Sequence, residues 1–180
     1  MIDIKKISKT YFQGTQRLEI LYQLSLKVQK GETLAILGQS GSGKSTLLSL
    51  MSGLDVPDFG SITMDGLVIN KLTQDQLSEF RAKTMGIVFQ QYHLMSNLTA
   101  LENVGLPLEL RKDPDYNQAA MDALKLVGLS HRLSHFPSEL SGGECQRVAI
   151  ARAIVGKPKI ILADEPSGNL DDQTGKEVMN

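Results

Sequence analysis

Residues 38–46 read GQSGSGKST and follow the short apolar run Thr33–Leu37. Gly38, Gly43, Lys44 and Ser45 fit the spacing G-x-x-x-x-G-K-[ST], with Gln39, Ser40, Gly41 and Ser42 between them and Thr46 after them. Glycines permit the backbone angles that turn successive N–H groups toward phosphate oxygens. A helix starting directly afterwards aims its own N–H groups and the positive end of its dipole at the same anion. Lys44 then reaches the β- and γ-phosphates of a nucleotide, and the Ser45 hydroxyl is an oxygen ligand for Mg2+. A flexible glycine-serine turn is the plain alternative. The apolar run before the loop and the helical spacing after it favour phosphate binding.

A second constellation is KIILADEP, residues 159–166, an apolar run ending in Asp164 and Glu165. A central parallel strand delivers such residues to the sheet edge where open α/β sheets bind ligands. Asp164 suits Mg2+, a hard cation that takes oxygen ligands partly through its water shell. Glu165 is free to polarise a water that attacks the γ-phosphate. Without the glycine loop, both acids would read as the polar end of a strand before Pro166. A third stretch is LSGGECQRVAIARAIV, residues 140–155. Ser141 and Glu144 have capping-box spacing, and helix initiation alone accounts for both. It does not account for Gly142 and Gly143 in the first turn, where each weakens a helix by roughly 1 kcal/mol relative to alanine. Bare glycine N–H groups at a helix start let a phosphate approach, which suggests one phosphate chain gripped from two sides.

The elements that position these residues follow from periodicity. Ile2 and Ile4, then Leu24, Leu26 and Val28, alternate with polar neighbours, as half-buried antiparallel strands do. Thr33–Leu37 and Lys159–Ala163 are continuous apolar runs, expected as central parallel strands. Leu47, Leu48, Leu50, Met51 and Leu54 recur at helical spacing, with Gly53 as an end signal. Thr99-x-x-Glu102 starts a helix that Pro107 should shorten, and Asp113 with Pro114 starts another that closes near Gly128. The class is α/β, with a mostly parallel central sheet, an N-terminal antiparallel β subdomain and an inserted helical subdomain. We expect a single domain over residues 1–180, in which 1–90 and 141–180 form the core with the β subdomain and 91–140 the helical subdomain.

Composition bounds the function. The 180 residues, 41% hydrophobic and 22% charged, suffice for one core, and a net charge of -1 gives no bulk attraction for nucleic acid. One cysteine, Cys145, excludes an internal disulfide framework and fits a reducing compartment, hence the cytoplasm. No stretch reaches the roughly 18 apolar residues of a membrane helix, and MIDIKKISKTY alternates where a signal peptide would have an apolar block. Any membrane role then runs through a partner.

On these motifs the chain resembles the nucleotide-binding domain of an ABC transporter, a P-loop NTPase fold. It carries a Walker A loop at Gly38 to Thr46, a Q-loop glutamine, Gln90, in GIVFQQ, and the signature LSGGE at 140–144. A Walker B strand ends in Asp164 with Glu165 after it, and a D-loop SGNLD stands at 167–171. The resemblance implies an ATPase that uses ATP and Mg2+, with Glu165, Lys44 and Gln90 at the chemistry and Ser45, Gln90 and Asp164 around the metal. It implies that the Walker A residues surround the phosphates and that Tyr11, in KTYFQG, stacks on adenine. It further implies a head-to-tail homodimer in which Ser141, Gly142, Gly143, Glu144 and Asp171 contribute to nucleotide binding, the signature acting across the interface. Gln90 would couple the site to the helical subdomain, which docks on a transmembrane permease subunit and holds the chain at the cytoplasmic face of the inner membrane. FQQYHLMSNLTALENV, SGLDVPDFG and DEPSGNLD narrow the resemblance to the lipoprotein-releasing and macrolide-export group.

Some residues depart from the family pattern. Cys145 stands where glutamine is common and reads as a small packed residue; Ser167 stands where threonine is common. The family places a further histidine on a strand after the D-loop, and this chain stops at Asn180, before that strand. His93, His131 and His135 precede that region and read as surface or loop residues. Missing terminal strands would uncover apolar sheet surface and an unpaired edge. Two functions stay open: an ATPase subunit driving a transporter, which Glu165 favours, and a nucleotide-binding module without turnover, which the lacking histidine favours. A soluble ABC ATPase of DNA repair or translation would carry long coiled coils or tandem cassettes, and the sequence has neither.

Overall fold

The alternating segments at the N-terminus become two long strands, β1 (Ile2–Gln13) and β2 (Gln16–Val28), paired antiparallel. Gly14 takes φ 62° in the tight connection between them, a left-handed conformation that glycine adopts without strain. β3 (Phe59–Met64) pairs along the other side of β1, and β4 (Leu67–Val68) along β3, so the sheet order is β2-β1-β3-β4. Ile2, Ile4 and Ile7 of β1 are buried with Ile62 and Met64 of β3. The β1–β2 register shifts between Ile4 and Ile7 and again between Ile7 and Lys9. At those irregularities serine hydroxyls take over the ladder's role: Lys6 N–H donates to Ser25 Oγ at 2.9 Å and Gln23 N–H to Ser8 Oγ at 3.0 Å.

The computed structural model describes residues 1–166 and 168. It divides into two compact units, Met1–Glu79 and Phe80–Asn180. The first holds the antiparallel sheet and α1 (Lys44–Ser52), whose Leu47, Leu50 and Met51 are buried. Gly53 ends α1 in a left-handed C-cap at φ 67°. α2 (Gln74–Thr84) carries the boundary between the units.

The second unit is built on two parallel strands, β5 (Met85–Val88) and β6 (Ile160–Ala163), paired Met85 with Ile160 through Val88 with Ala163. Three helices pack beside them: α3 (Ala100–Glu109), α4 (Tyr116–Leu126) and α5 (Gly142–Ile154). Their shared core includes Val88, Val104, Leu108, Leu124, Leu129 and Val148. A Cβ on Gly86 would run into the Ala153 carbonyl, so only glycine lets α5 lie this close to β5. Both predicted capping boxes form, at Thr99 with Glu102 and at Ser141 with Glu144.

The structure departs from expectation at three places. Thr33–Leu37 forms no strand: residues 31–40 are all exposed, and Leu37 keeps 90% of its surface. A strand is defined by its ladder, and β5 and β6 pair with each other, not with residues 33–37. Pro107 does not shorten α3, which runs on to Glu109. Its start is pinned by the capping box and by Asn103, whose amide nitrogen donates to the carbonyls of Met95, Leu98 and Thr99. The helix expected from Asp113 begins at Tyr116, because the Asp113 carboxylate is turned back onto the Asp115 N–H at 3.0 Å.

Candidate functional site

In the first unit the glycine loop ends in a helix start that no side chain occupies. Gly43 is the N-cap of α1 at φ 91°, with no side-chain hydrogen bond and no acid in the first turn. Its first N–H groups therefore lack the intrahelical partners that later ones have, and the positive dipole end is uncompensated. Gly41 takes φ 80°, and Ser42 N–H closes the turn on the Gln39 carbonyl at 3.2 Å. A Cβ on Gly38 would lie 2.6 Å from Ser42 Oγ, so the cradle has no room for one. The Lys44 ammonium donates to the carbonyls of Gly38 at 2.8 Å and Gln39 at 2.9 Å, which holds it against the loop. Ser40 and Ser45 are exposed and Thr46 is half-buried. This donor set fits a phosphate chain, and the exposed Ser45 hydroxyl fits an oxygen-seeking cation beside it.

Tyr11 lies near the end of β1, also in the first unit. Its hydroxyl donates to Asp55 Oδ2 at 2.6 Å, and the Lys9 ammonium sits 5.1 Å from its ring centroid. Burial and the Asp55 carboxylate push its pKa up to about 12, while Thr46 pulls the other way. Burial raises the Asp55 pKa, but Lys9, Tyr11 and the Val56 N–H outweigh it and leave the carboxyl below its usual range.

In the second unit the parallel register does the positioning. Val88 pairs with Ala163, and Asp164 N–H continues the ladder onto Val88 O at 2.9 Å. Gln90 and Glu165 each stand two residues beyond that last pair, so they leave the sheet side by side at its C-terminal edge. Gln90 Nε2 donates to Glu165 Oε2 at 3.0 Å, and both side chains are exposed. Glu165 adopts φ 48°, a left-handed backbone that costs a non-glycine residue on the order of 1–3 kcal/mol and that concentrates at functional positions.

The signature residues open α5. Ser141 Oγ accepts from Glu144 N–H at 3.2 Å, and Glu144 Oε2 accepts from Ser141 N–H at 2.8 Å. Gly142 and Gly143 occupy the first turn between them, and a Cβ on Gly142 would meet the Tyr92 hydroxyl at 3.0 Å. Glu144 is also held by Arg132, Nε to Oε1 at 2.8 Å. The Ser141 N–H, against the opposing effect of burial and with help from the Ser141 hydroxyl and Arg132, brings its pKa down to about 2. Cys145 is buried, its Sγ directed at the Pro137 carbonyl at 3.6 Å, and burial followed by the Glu144 charge raises its pKa. It is a packed residue.

Of the residues singled out in the sequence, Gln90 and Glu165 are brought into contact, with Asp164 beside them. Gly38 to Thr46 and Tyr11 belong to the first unit; Gln90, Ser141 to Glu144, Asp164 and Glu165 belong to the second. Asp171, with Ser167 of the D-loop, lies outside the described residues. Sequence reasoning did not single out Lys9, Asp55, Asp58, Arg132 or Arg152. Arg152, on α5, donates to the carbonyls of Tyr92 and His93 at 2.7 Å each and thereby holds the segment after Gln90. Nothing in residue spacing announces such long-range partners, although two aspartates in one short turn were a signal for Asp55 and Asp58.

Comparison with known proteins bears on the same motifs. The family model described as ABC transporter matches residues 21–168. The lipoprotein-releasing system ATP-binding protein LolD of Psychrobacter arcticus is 48% identical over 175 residues, spanning 96% of this chain and 77% of the relative. LolD of Shewanella frigidimarina is 46% identical over 181 aligned residues, spanning 99% of this chain and 75% of the relative. Among solved structures, the ATP-binding cassette MJ0796 in a dimeric post-hydrolysis state bound to ADP and Pi superimposes with a TM-score of 0.95 at 41% identity, covering 99% of this chain and 80% of that one. A second dimeric structure of MJ0796, described as a bacterial ABC transporter cassette, also gives 0.95, at 42% identity and the same coverage. With the uncapped glycine-led start of α1, the paired Gln90 and Glu165 and the glycine-led α5 all in place, the chain belongs to the ABC transporter family as one of its ATP-binding cassettes, of the kind that includes the lipoprotein-releasing proteins.

Proposed function

We propose that this cassette hydrolyses Mg-ATP in a head-to-tail pair of nucleotide-binding domains and so drives a transmembrane permease subunit of the lipoprotein-releasing or macrolide-export type. The observation that carries the reading is the Gln90–Glu165 contact at the end of two registered parallel strands. A pure binding module needs no carboxylate there. Glu165 has one oxygen engaged by Gln90, and its other, which has no hydrogen bond among the described residues, would take the proton of an attacking water. Lys44 exchanges its two loop carbonyls for β- and γ-phosphate oxygens, while the N–H groups of Gly38 to Thr46 hold the chain of phosphates still. Ser45, Gln90 and Asp164 would hold Mg2+, which neutralises phosphate charge when bound. Tyr11 takes the adenine. Ser141, Gly142 and Gly143 act on the nucleotide of the facing cassette, and Asp171 contributes from the D-loop.

Attachment through a permease at the cytoplasmic face of the inner membrane belongs to the same proposal; among the described residues no helix is long and apolar enough to cross a membrane. Two relatives named for lipoprotein release support the choice of group. The test is ATP turnover beside ATP affinity for this chain and for Glu165→Gln. Loss of turnover with retained ATP binding and a longer-lived ATP-bound dimer is expected of the variant. Turnover at the unaltered rate would remove Glu165 from the chemistry, and ATP binding with no turnover in either protein would leave a nucleotide-binding module.

A further inference from the structure

The turn after α1, SGLDVPDFG in the sequence, does more than connect two elements. Its Asp58 backbone N–H donates to the Ser8 carbonyl at 2.9 Å, and the Asp58 carboxylate accepts from Thr10 N–H at 2.7 Å. These bonds zip the turn to β1 on both sides of Lys9. The Lys9 side chain runs back into the turn and donates to Asp55 Oδ1 at 2.7 Å and to the Val56 carbonyl at 2.8 Å. Lys9 is only 9% exposed, so this ammonium is committed to its partners. The second oxygen of the same carboxylate, Asp55 Oδ2, accepts from the Tyr11 hydroxyl at 2.6 Å. One aromatic ring near the turn end of the β1–β2 hairpin is thus tied to the turn after α1 and, through Asp55, to Lys9 of its own strand.

The placement has a directional consequence. Tyr11 keeps 38% of its surface and its neighbour Phe12 keeps 73%, so packing alone does not hold this end of β1. A hydroxyl bonded to a carboxylate that is itself bonded to Lys9 fixes both side-chain torsions of the ring. The Lys9 ammonium covers one face at 5.1 Å. Tyr11 keeps exposed surface on which a base can lie.

We propose that the Gly53–Asp58 turn is a positioning device for the nucleotide base, in which Asp55, with Lys9, holds the Tyr11 ring at a fixed angle and offset from the phosphate-binding helix. The proposal rests on the reading of Tyr11 as the adenine platform. Asp55 and Lys9 touch no nucleotide in it; they act through the ring. Base affinity is therefore separable from phosphate affinity in this cassette, and the turn governs only the first.

The experiment compares the dissociation constants of ATP and of inorganic tripolyphosphate, without Mg2+, for the full chain and for Tyr11→Ala, Tyr11→Phe, Asp55→Ala and Asp55→Asn. Tyr11→Ala should weaken ATP by about 5- to 100-fold, the range expected for one base stacked on one aromatic side chain. Tyr11→Phe and Asp55→Ala should each weaken it by about 3- to 10-fold, the net effect of losing one hydrogen bond of ordinary strength that acts on the base only through the ring. Asp55→Asn keeps an oxygen acceptor for the Tyr11 hydroxyl and should recover most of that loss. Tripolyphosphate affinity should stay within about twofold throughout, since the phosphate loop is untouched. If Tyr11→Ala weakens ATP while Tyr11→Phe and Asp55→Ala do not, the device is overturned and the platform stands. If Tyr11→Ala leaves ATP affinity alone, or the unaltered chain binds no ATP, the platform fails and the device with it. Equal losses for ATP and tripolyphosphate in Asp55→Ala would make the turn a support of the loop and also overturn the proposal.

Discussion

Replacing Glu144 by glutamine separates charge from shape at the start of α5. In the folded chain this carboxylate accepts from the Ser141 N–H and from Arg132, and its pKa is brought from 4.5 to about 2. A carboxyl that becomes more acidic on folding stabilises the fold above its unfolded pKa, and the contribution is lost as the pH falls through the folded value. The gap of about 2.5 pH units, at 1.36 kcal/mol each, sets an upper figure of about 3 kcal/mol at neutral pH. The Glu144 side chain keeps 13% of its surface and the Arg132 side chain 34%, so water screens the pair and about 1–2 kcal/mol is expected. Glutamine still offers one oxygen to the Ser141 N–H, but its NH2 stands where Oε1 accepts from Arg132, so Glu144→Gln removes the charge together with the Arg132 bond. Urea unfolding followed by circular dichroism should find the variant less stable by about 1–2 kcal/mol at neutral pH, the difference closing between about pH 5 and about pH 2. At about pH 3 it should be less than half its neutral value. The other carboxylates titrate in both proteins and cancel in the comparison. A difference of the same size at both pH values would refute the electrostatic account and leave only fit.

Three further outcomes follow from named contacts. Arg152→Ala removes both donors to the Tyr92 and His93 carbonyls and should destabilise the chain by about 2–4 kcal/mol in urea unfolding, with Arg152→Lys intermediate because one ammonium replaces a two-pronged fork. Gly86→Ala sets a methyl against the Ala153 carbonyl and should cost about 2 kcal/mol or more, read as a fall in melting temperature; an unchanged value would mean α5 can back away from β5 freely. Cys145 should react with a thiol reagent far more slowly in the folded chain than in urea, since burial raises its pKa and encloses the sulfur; equal rates would remove it from the core.

Much of the site was legible because its signals are local. The glycine loop, both capping boxes and the β6 run ending in two acids each announce themselves within ten residues, and the α1 helix start, both boxes and the β6 strand are present in the structure. Thr33–Leu37 misled for the opposite reason. Apolar composition says that a segment prefers burial, but only a partner strand turns it into β structure, and among the described residues no strand pairs with 33–37. Pro107 was over-weighted because the cost of a lost helix bond is set against anchors elsewhere, here the buried Asn103 side chain and its three carbonyl partners. Asp55 has no local signal of its role, because its partners Lys9 and Tyr11 lie 46 and 44 residues away. The contact between Gln90 and Glu165 spans 75 residues, yet it was within reach of the sequence, since two registered parallel strands fix where their ends go.

The two glycine-led helix starts are in unequal electrical states. α1 has a bare positive end, without a capping side chain or a first-turn acid. α5 has a serine hydroxyl on its third N–H and a carboxylate of low pKa in its first turn, which offsets a dipole effect of about 0.3–1 kcal/mol. An anion from solution therefore settles at α1 first, while α5 adds attraction only for an anion already anchored elsewhere. In the proposed head-to-tail pair that inequality imposes an order of assembly: loading precedes clasping, and the arrival of a second cassette's α5 becomes a report on occupancy. Two equally bare helix starts would instead compete for the same free nucleotide, and the sequence of steps would be lost.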